Sequence, residues 1–305
     1  YRAIASKALE LLHDKGLAWI YSAGSMSECG TAAFARYDYR LRYAYASQIN
    51  EVLGLLYELD LYIAVAKVGR ERGFSFAEAV IQDETIINMS GLYHPTVPNA
   101  VSNDVLIDHR SNLIFLTGAN MAGKSTLMKA FGVTLYLAHM GFPLPVSSML
   151  FTPIDGIYTS INVPDNLNMG YSHFYAEVKR VKDVALAVSS GKRLAVIFDE
   201  LFKGTNVKDA YDATVAVTEA FSKHRRCIYI VSTHIMEAGV TLRETCDNMK
   251  FVYLPTLLHG STPVYTYRLS EGISDDRHGM MIINNERIIE TIRKTTEQPR
   301  TQQTL

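Results

Sequence analysis

The sequence predicts an α/β fold with a mixed, largely parallel sheet, preceded by an all-helical segment. Three observations point there. Asn112 to Thr126 (NLIFLTGANMAGKST) sets a short apolar run, Leu113 to Leu116, ahead of a glycine-rich loop, and an apolar helical pattern through Leu127, Phe131, Leu135 and Leu137 follows at once. Leu194 to Phe198 is a five-residue apolar strand closed by two carboxylates, Asp199 and Glu200. From Thr85 onward short apolar runs alternate with helical stretches, as in a sheet whose strands are joined by crossover helices.

Taken in order, residues 1–88 read as helical. Ala3 to Leu12 is a short helix cut off near Gly16, and Gly24 to Gly30 is loop-like. Tyr37 to Arg42 alternates aromatic and charged residues and fits no single element. Ile49, Val52, Leu56, Leu59, Ile63 and Ala66 fall on one face of a long helix that ends around Gly69 to Gly73. Phe74 to Ala79 then reads as a connector. In 89–294, strands are expected at Val105 to Ile107, Leu113 to Leu116, Tyr158 to Ile161, Leu194 to Phe198, Cys227 to Val231, Phe251 to Leu254 and Val264 to Tyr267. Helices are expected after the glycine loop, through Phe174 to Val188, and at Lys208 to Ser222, Ile235 to Glu244 and Ile282 to Arg293. The polar tail 295–305 reads as disordered.

Composition narrows the class. A chain of 305 residues, 48% hydrophobic and 20% charged, is long enough for two domains and ordinary for a water-soluble protein. No apolar run reaches membrane-spanning length and no signal peptide is visible. A net charge of −1 gives no whole-chain support for nucleic-acid binding. Cys29, Cys227 and Cys246 show no metal-ligand spacing, and a reducing, cytoplasmic setting is expected. The chain starts at Tyr1 rather than Met, as a fragment of a longer protein or a trimmed chain would.

The motifs carry the chemistry. Gly118, four residues, then Gly123, Lys124 and Ser125 match G-x-x-x-x-G-K-[ST], in the strand–loop–helix context that the motif requires. Glycines let backbone N–H groups turn toward phosphate oxygens, and the helix N-terminus adds a favourable dipole. Lys124 can then reach the β- and γ-phosphates, and is expected to sit exposed with no packing role. The Ser125 hydroxyl and Asp199 can hold Mg²⁺, while Glu200 can polarise an attacking water. Nucleotide contacts are expected over the whole loop: Gly118, Ala119, Asn120, Met121, Ala122, Gly123, Lys124, Ser125 and Thr126. His234, in Ser232-Thr233-His234 directly after a strand, suits either a packing role or a γ-phosphate sensor, and the sensor is favoured by its place beyond the Asp-Glu pair.

These residues resemble the MutS mismatch-repair ATPases. The resemblance rests on TGANMAGKST, on Asp199-Glu200-Leu201-Phe202-Lys203-Gly204-Thr205-Asn206, similar to DE-x-x-[RK]-G-T-[SN], and on Ser232-Thr233-His234. Gly170 to Glu177 resembles the family segment S-x-F-x-x-E, and His94-Pro95 the motif that introduces the ATPase domain. The match is strong from Gly91 to Ile283 and weaker over Ser47 to Ala79. It implies an ABC-type ATPase domain over 89–294 behind a helical core and lever segment. It also implies Mg²⁺-dependent ATP hydrolysis by a homodimer assembled head to tail. Ser172 of one copy would then meet the γ-phosphate held by the other's Lys124, although a helix N-cap alone would also explain it. Asp209 is expected near the same interface. Double-stranded DNA is the implied partner, bound through regions largely outside this chain.

Departures from the family pattern matter. Relatives carry an aromatic residue for adenine stacking three positions before the asparagine at Asn103, and here that position is Ala100. Tyr267, at the family's second stacking position, is left as the base contact beside Asn103. Phe76-Ala77-Glu78 has the letters of the Phe-x-Glu mismatch wedge but sits just before the ATPase, where a chance match is the expectation. The upstream chain has no room for a recognition domain, connector and full clamp, and the family's terminal helical dimerisation element is expected to be absent or truncated. Either the chain is a piece of a longer repair ATPase, or it belongs to a shortened branch acting on another DNA structure or partner. A transporter-type ATPase fits less well, because Gly170 to Glu177 does not resemble L-S-G-G-Q.

Overall fold

The computed structural model describes residues 2–14, 17, 30–161, 173–259, 262–275 and 287–296. They fall into two compact units, Tyr1–Gly73 and Phe74–Leu305.

The first unit is helical: α1 (Arg2–Leu12), α2 (Thr31–Tyr39) and α3 (Ala46–Arg72), with a π-helical turn over Arg40–Ala44. The stretch Tyr37 to Arg42, which no single period fits, straddles α2 and that turn. Its residues pair one turn apart: Arg42 Nε lies 2.6 Å from Asp38, and the Tyr39 and Tyr43 rings are 5.7 Å apart. α3 stops at Gly73, whose φ of +64° closes the helix, and Arg70 and Arg72 suit the negative end of its dipole. The expected apolar face is mostly not buried. Of its six residues only Val52 is enclosed, while Leu56 and Ile63 are exposed.

The second unit contains two larger sheets. One has β1 (Ala77–Ala79), β5 (Ser148–Phe151), β2 (Ile87–Leu92) and β3 (Asn103–Ile107) in that spatial order. Phe74 to Ala79 is therefore not a plain connector. β1 pairs in parallel with β5, and Ser75 exchanges backbone hydrogen bonds with Leu144, which joins this stretch to the second unit. Residues 74–88 thus lie on the far side of the division from the helices with which they were grouped.

The other sheet has six strands: β12 (Ser270–Glu271), β9 (Met249–Leu254), β4 (Leu113–Gly118), β8 (Ile228–Ser232), β7 (Leu194–Asp199) and β6 (Gly156–Ser160). β9, β4, β8, β7 and β6 run parallel, and β12 joins the edge antiparallel. Alternation sends the two faces of these strands into different cores. Ile114, Leu116, Ala195, Ile197 and Ile230 pack with Met128, Phe131 and Leu135 of α4 (Lys124–His139) and with the first sheet. Leu113, Phe115, Val196, Phe198 and Val231 pack against α5 (His173–Ser189), α6 (Val207–Ser222) and α7 (Met236–Thr245). Burial on both faces is why these strands read as continuous apolar runs.

Smaller differences remain at the C-terminal side. β10 (Thr256–His259) and β11 (Thr262–Tyr265) form a hairpin that ends before Tyr267, which the sequence had placed on the strand. Tyr267 has φ +55°, incompatible with extended backbone. α8 (Ile288–Thr296) takes in Thr295 and Thr296, the first residues of the expected disordered tail, and the rest of the tail lies outside the described residues.

Candidate functional site

The site forms where β4, β8 and β7 end side by side. β4 is fully buried up to Gly118, so the chain can leave the sheet only by turning at its carboxyl edge. Gly118 (φ +139°) and Gly123 (φ +103°) make that turn. Each also meets a close neighbour. A Cβ on Gly118 would lie 3.3 Å from the Leu254 carbonyl oxygen, and one on Gly123 3.1 Å from the Tyr267 ring. α4 begins directly afterwards, so its unpaired N–H groups face the loop.

Lys124 is not exposed. It is only 5% accessible, and its ammonium donates to the carbonyls of Gly118 (2.8 Å) and Ala119 (3.2 Å). The four-carbon stem lies inside the loop's curve and brings the charge to its concave side. Burial pushes the Lys124 pKa down, against the opposing pull of the Glu200 and Asp199 carboxylates.

Asp199 closes β7 and joins the loop to the neighbouring strand. Its Oδ2 accepts from Ser125 Oγ at 2.5 Å, and its Oδ1 accepts from Ser232 Oγ at 2.8 Å. Ser232, named from the sequence only as part of Ser232-Thr233-His234 and given no role there, also accepts the Glu200 N–H through its carbonyl at 2.9 Å. The available signal was a hydroxyl at the end of an apolar strand in register with Asp199. Glu200 has φ +55° and Phe202 +61°, so the chain makes a tight, unusual turn straight after the strand. Lys203 lies 3.5 Å from the Glu200 carboxylate. Glu177, on α5, accepts the Phe202 N–H at 2.8 Å.

The hydrogen bonds of this cluster do not include His234, which is exposed two residues past β8. Ser172 lies outside the described residues. Asp209 is tied into a reciprocal helix cap, its N–H donating to Asn206 Oδ1 at 2.9 Å.

A cavity of about 440 Å³ adjoins the loop, bounded by Gly123, Thr126, Leu254, Tyr267, His94 and Ala100. Ala100 and Tyr267 thus share one chamber. Asn103 borders it too, but its amide is committed to backbone: Nδ2 donates to the Tyr267 carbonyl (2.9 Å) and Oδ1 accepts from Leu269 N (2.7 Å). Its two bonds bracket the backbone from Tyr267 to Leu269. The Phe76-Ala77-Glu78 letters fall on β1 and the residue before it, where Glu78 is in register with Leu150.

The donor set fits Mg²⁺. That ion takes one or two protein oxygens and completes its shell with phosphate and water, and Ser125 Oγ and Asp199 Oδ2 converge at the loop. Among the described residues no group of three His, Cys, Asp or Glu could hold a metal by itself. No helix among them is long and apolar enough to cross a membrane.

The family description MutS domain V matches residues 114–302, more than half of the chain. This chain belongs to the MutS family. Domain V is the family's ATPase domain, and MutS-family proteins act in DNA repair as dimers on DNA. The match opens inside β4 and takes in the glycine loop, Asp199-Glu200 and Ser232-Thr233-His234; β2, β3 and Asn103 lie ahead of it.

Proposed function

We propose that the second unit is a Mg²⁺-dependent, ABC-type ATPase that couples nucleotide-driven head-to-tail dimerisation to DNA binding in a MutS-family repair protein. The observation that carries this reading is the 2.5 Å bond between Ser125 and Asp199, which joins the glycine loop to the carboxylate strand across β8. Mg²⁺, held there by Ser125 and Asp199, would neutralise phosphate charge. The base lies in the chamber beside Tyr267, with Ala100 leaving one side without an aromatic wall. Loop N–H groups and the α4 N-terminus cradle the phosphates, and Lys124 exchanges its carbonyl partners for β- and γ-oxygens. Glu200 accepts a proton from the water that attacks the γ-phosphorus, as the bond to ADP breaks. His234 reads the γ-phosphate from beyond β8. Ser172 of a second copy reaches the same phosphate, so ATP is held by two chains.

Sedimentation of the Glu200→Gln variant tests this. ATP should drive dimers that ADP does not, and the parent's turnover per molecule should rise with protein concentration. A monomer with either nucleotide, together with concentration-independent turnover, would overturn the head-to-tail reading. If the ATP-driven dimer forms, binding to homoduplex, mismatched and branched DNA separates mismatch repair from service on another DNA structure.

A further inference from the structure

We propose that Glu177 is a positioning residue for Glu200, acting through the backbone of the turn that follows β7. The inference rests on the reading of Glu200 as the catalytic carboxylate. Glu200 and Phe202 both have positive φ without being glycine, a combination that persists only where the surroundings enforce it. Two hydrogen bonds from the turn's own N–H groups do so, one to β8 and one to α5. Ser232, on β8, takes the Glu200 N–H, and the Glu177 carboxylate takes the Phe202 N–H at 2.8 Å. Between them Leu201 is buried, and Phe202 packs edge-on to Phe174, with ring centroids 6.1 Å apart. Phe174 and Glu177 lie one turn apart at the start of α5, so one face of that helix grips both the ring and the N–H of Phe202.

This grip sets where the Glu200 side chain leaves the sheet. A carboxylate acceptor is strong and directional, and the Glu177 oxygen is committed to the Phe202 N–H. Loss of the Phe202 anchor frees the turn to relax toward ordinary φ values and swings Glu200 from its line of approach. The loop, Ser125 and Asp199 are untouched, so nucleotide binding is retained.

Steady-state ATP turnover of the full chain, with nucleotide affinity measured by a fluorescent ATP analogue, decides between the outcomes. Glu177→Ala should lower kcat about 100-fold, the size expected for a misplacement of about 1 Å, with KM and affinity unchanged. Glu177→Gln keeps an acceptor oxygen in place and should recover most of the rate. Parental kcat in Glu177→Ala would overturn the proposal. So would a loss of affinity in step with kcat that glutamine does not rescue, since that is damage to the fold. If the alanine variant does not fold, Glu177→Asp replaces it: the shorter arm should lower kcat where glutamine does not, and parental turnover by Glu177→Asp would overturn the proposal. Glu200→Gln is run alongside. Parental turnover there removes the catalytic reading and this proposal together, whereas an impaired Glu200→Gln beside a parental Glu177→Ala removes this proposal alone.

Discussion

Helix α4 buries Met128, Ala130, Phe131, Leu135 and Ala138 between two sheets, whereas the much longer α3 encloses only Val52 and Gly69. α3 leaves Leu53, Leu56, Tyr57, Leu61 and Ile63 exposed. Both patterns read as helices, but their stability has different sources. α4 is held by tertiary packing, so its N-terminus, which carries Lys124 and Ser125, is fixed to the resolution of a packed core. α3 depends on its length, its glycine stop and its charges. Apolar periodicity identifies a helix; it does not say how much of the face will be covered. Chemistry that needs fixed atoms belongs on the first kind of helix.

The largest loss is expected where β7 leaves the sheet. Glu200→Gln, which changes one atom beside the packed core, should slow ATP hydrolysis by about 100- to 10,000-fold with ATP still bound. Quenched-flow turnover and equilibrium binding check it, and lost binding would give Glu200 a structural or metal role instead. Next in size, Phe131→Ala should destabilise the second unit by about 3–5 kcal/mol, read from guanidinium unfolding, because α4 has nothing to refill the gap. Tyr267→Ala should weaken ATP binding by about 1–3 kcal/mol, the worth of one stacked base, in a titration with a fluorescent analogue.

A smaller effect depends on pH. Burial holds the Lys124 pKa below its usual 10.5, so without nucleotide the folded protein binds that proton less tightly than the unfolded chain does. Its penalty is full below the lowered value and is lost as pH rises from there toward 10.5. Lys124→Met should therefore be the more stable form below that lowered value, and the gap between the two unfolding midpoints should close as pH rises from it toward 10.5. A gap that does not change with pH would mean that the ammonium is not desolvated. Smallest of all, Leu56→Ala on α3 should shift stability by no more than about 0.5 kcal/mol, and a larger change in the same unfolding assay would show that its face is covered after all.

Much of the site was legible because its signals are local. The glycine loop, the Asp199-Glu200 pair and the hydroxyl of Ser125 each depend on a few neighbouring residues, and β4, β7 and β8 announce themselves as buried runs. β1, β2 and β5 did not. Ala77–Ala79 and Ser148–Phe151 are short and mixed, and Ile87–Leu92 carries a register shift near Gly91; their strand character comes from partners distant in the chain. Lys124 was expected exposed because charge argues for water, and nothing local shows that two carbonyls and a curved loop will enclose it. Asn103 borders the chamber beside the loop, and nothing local shows that its amide also holds the backbone of residues more than 160 positions away. Glu177 lay in plain view within a recognised segment, but its bond to Phe202 depends on how α5 lies over β7.

β8 separates the loop strand from the carboxylate strand, and its last residue touches both sides of the chemistry. The Ser232 hydroxyl binds the Asp199 carboxylate while its carbonyl accepts the Glu200 N–H, so one residue serves as a shared reference for two consecutive acidic residues. In the language of signalling this makes the end of β8 a coincidence detector. A shift of Asp199 and a shift of Glu200 arrive at the same residue, one through its hydroxyl and the other through its carbonyl.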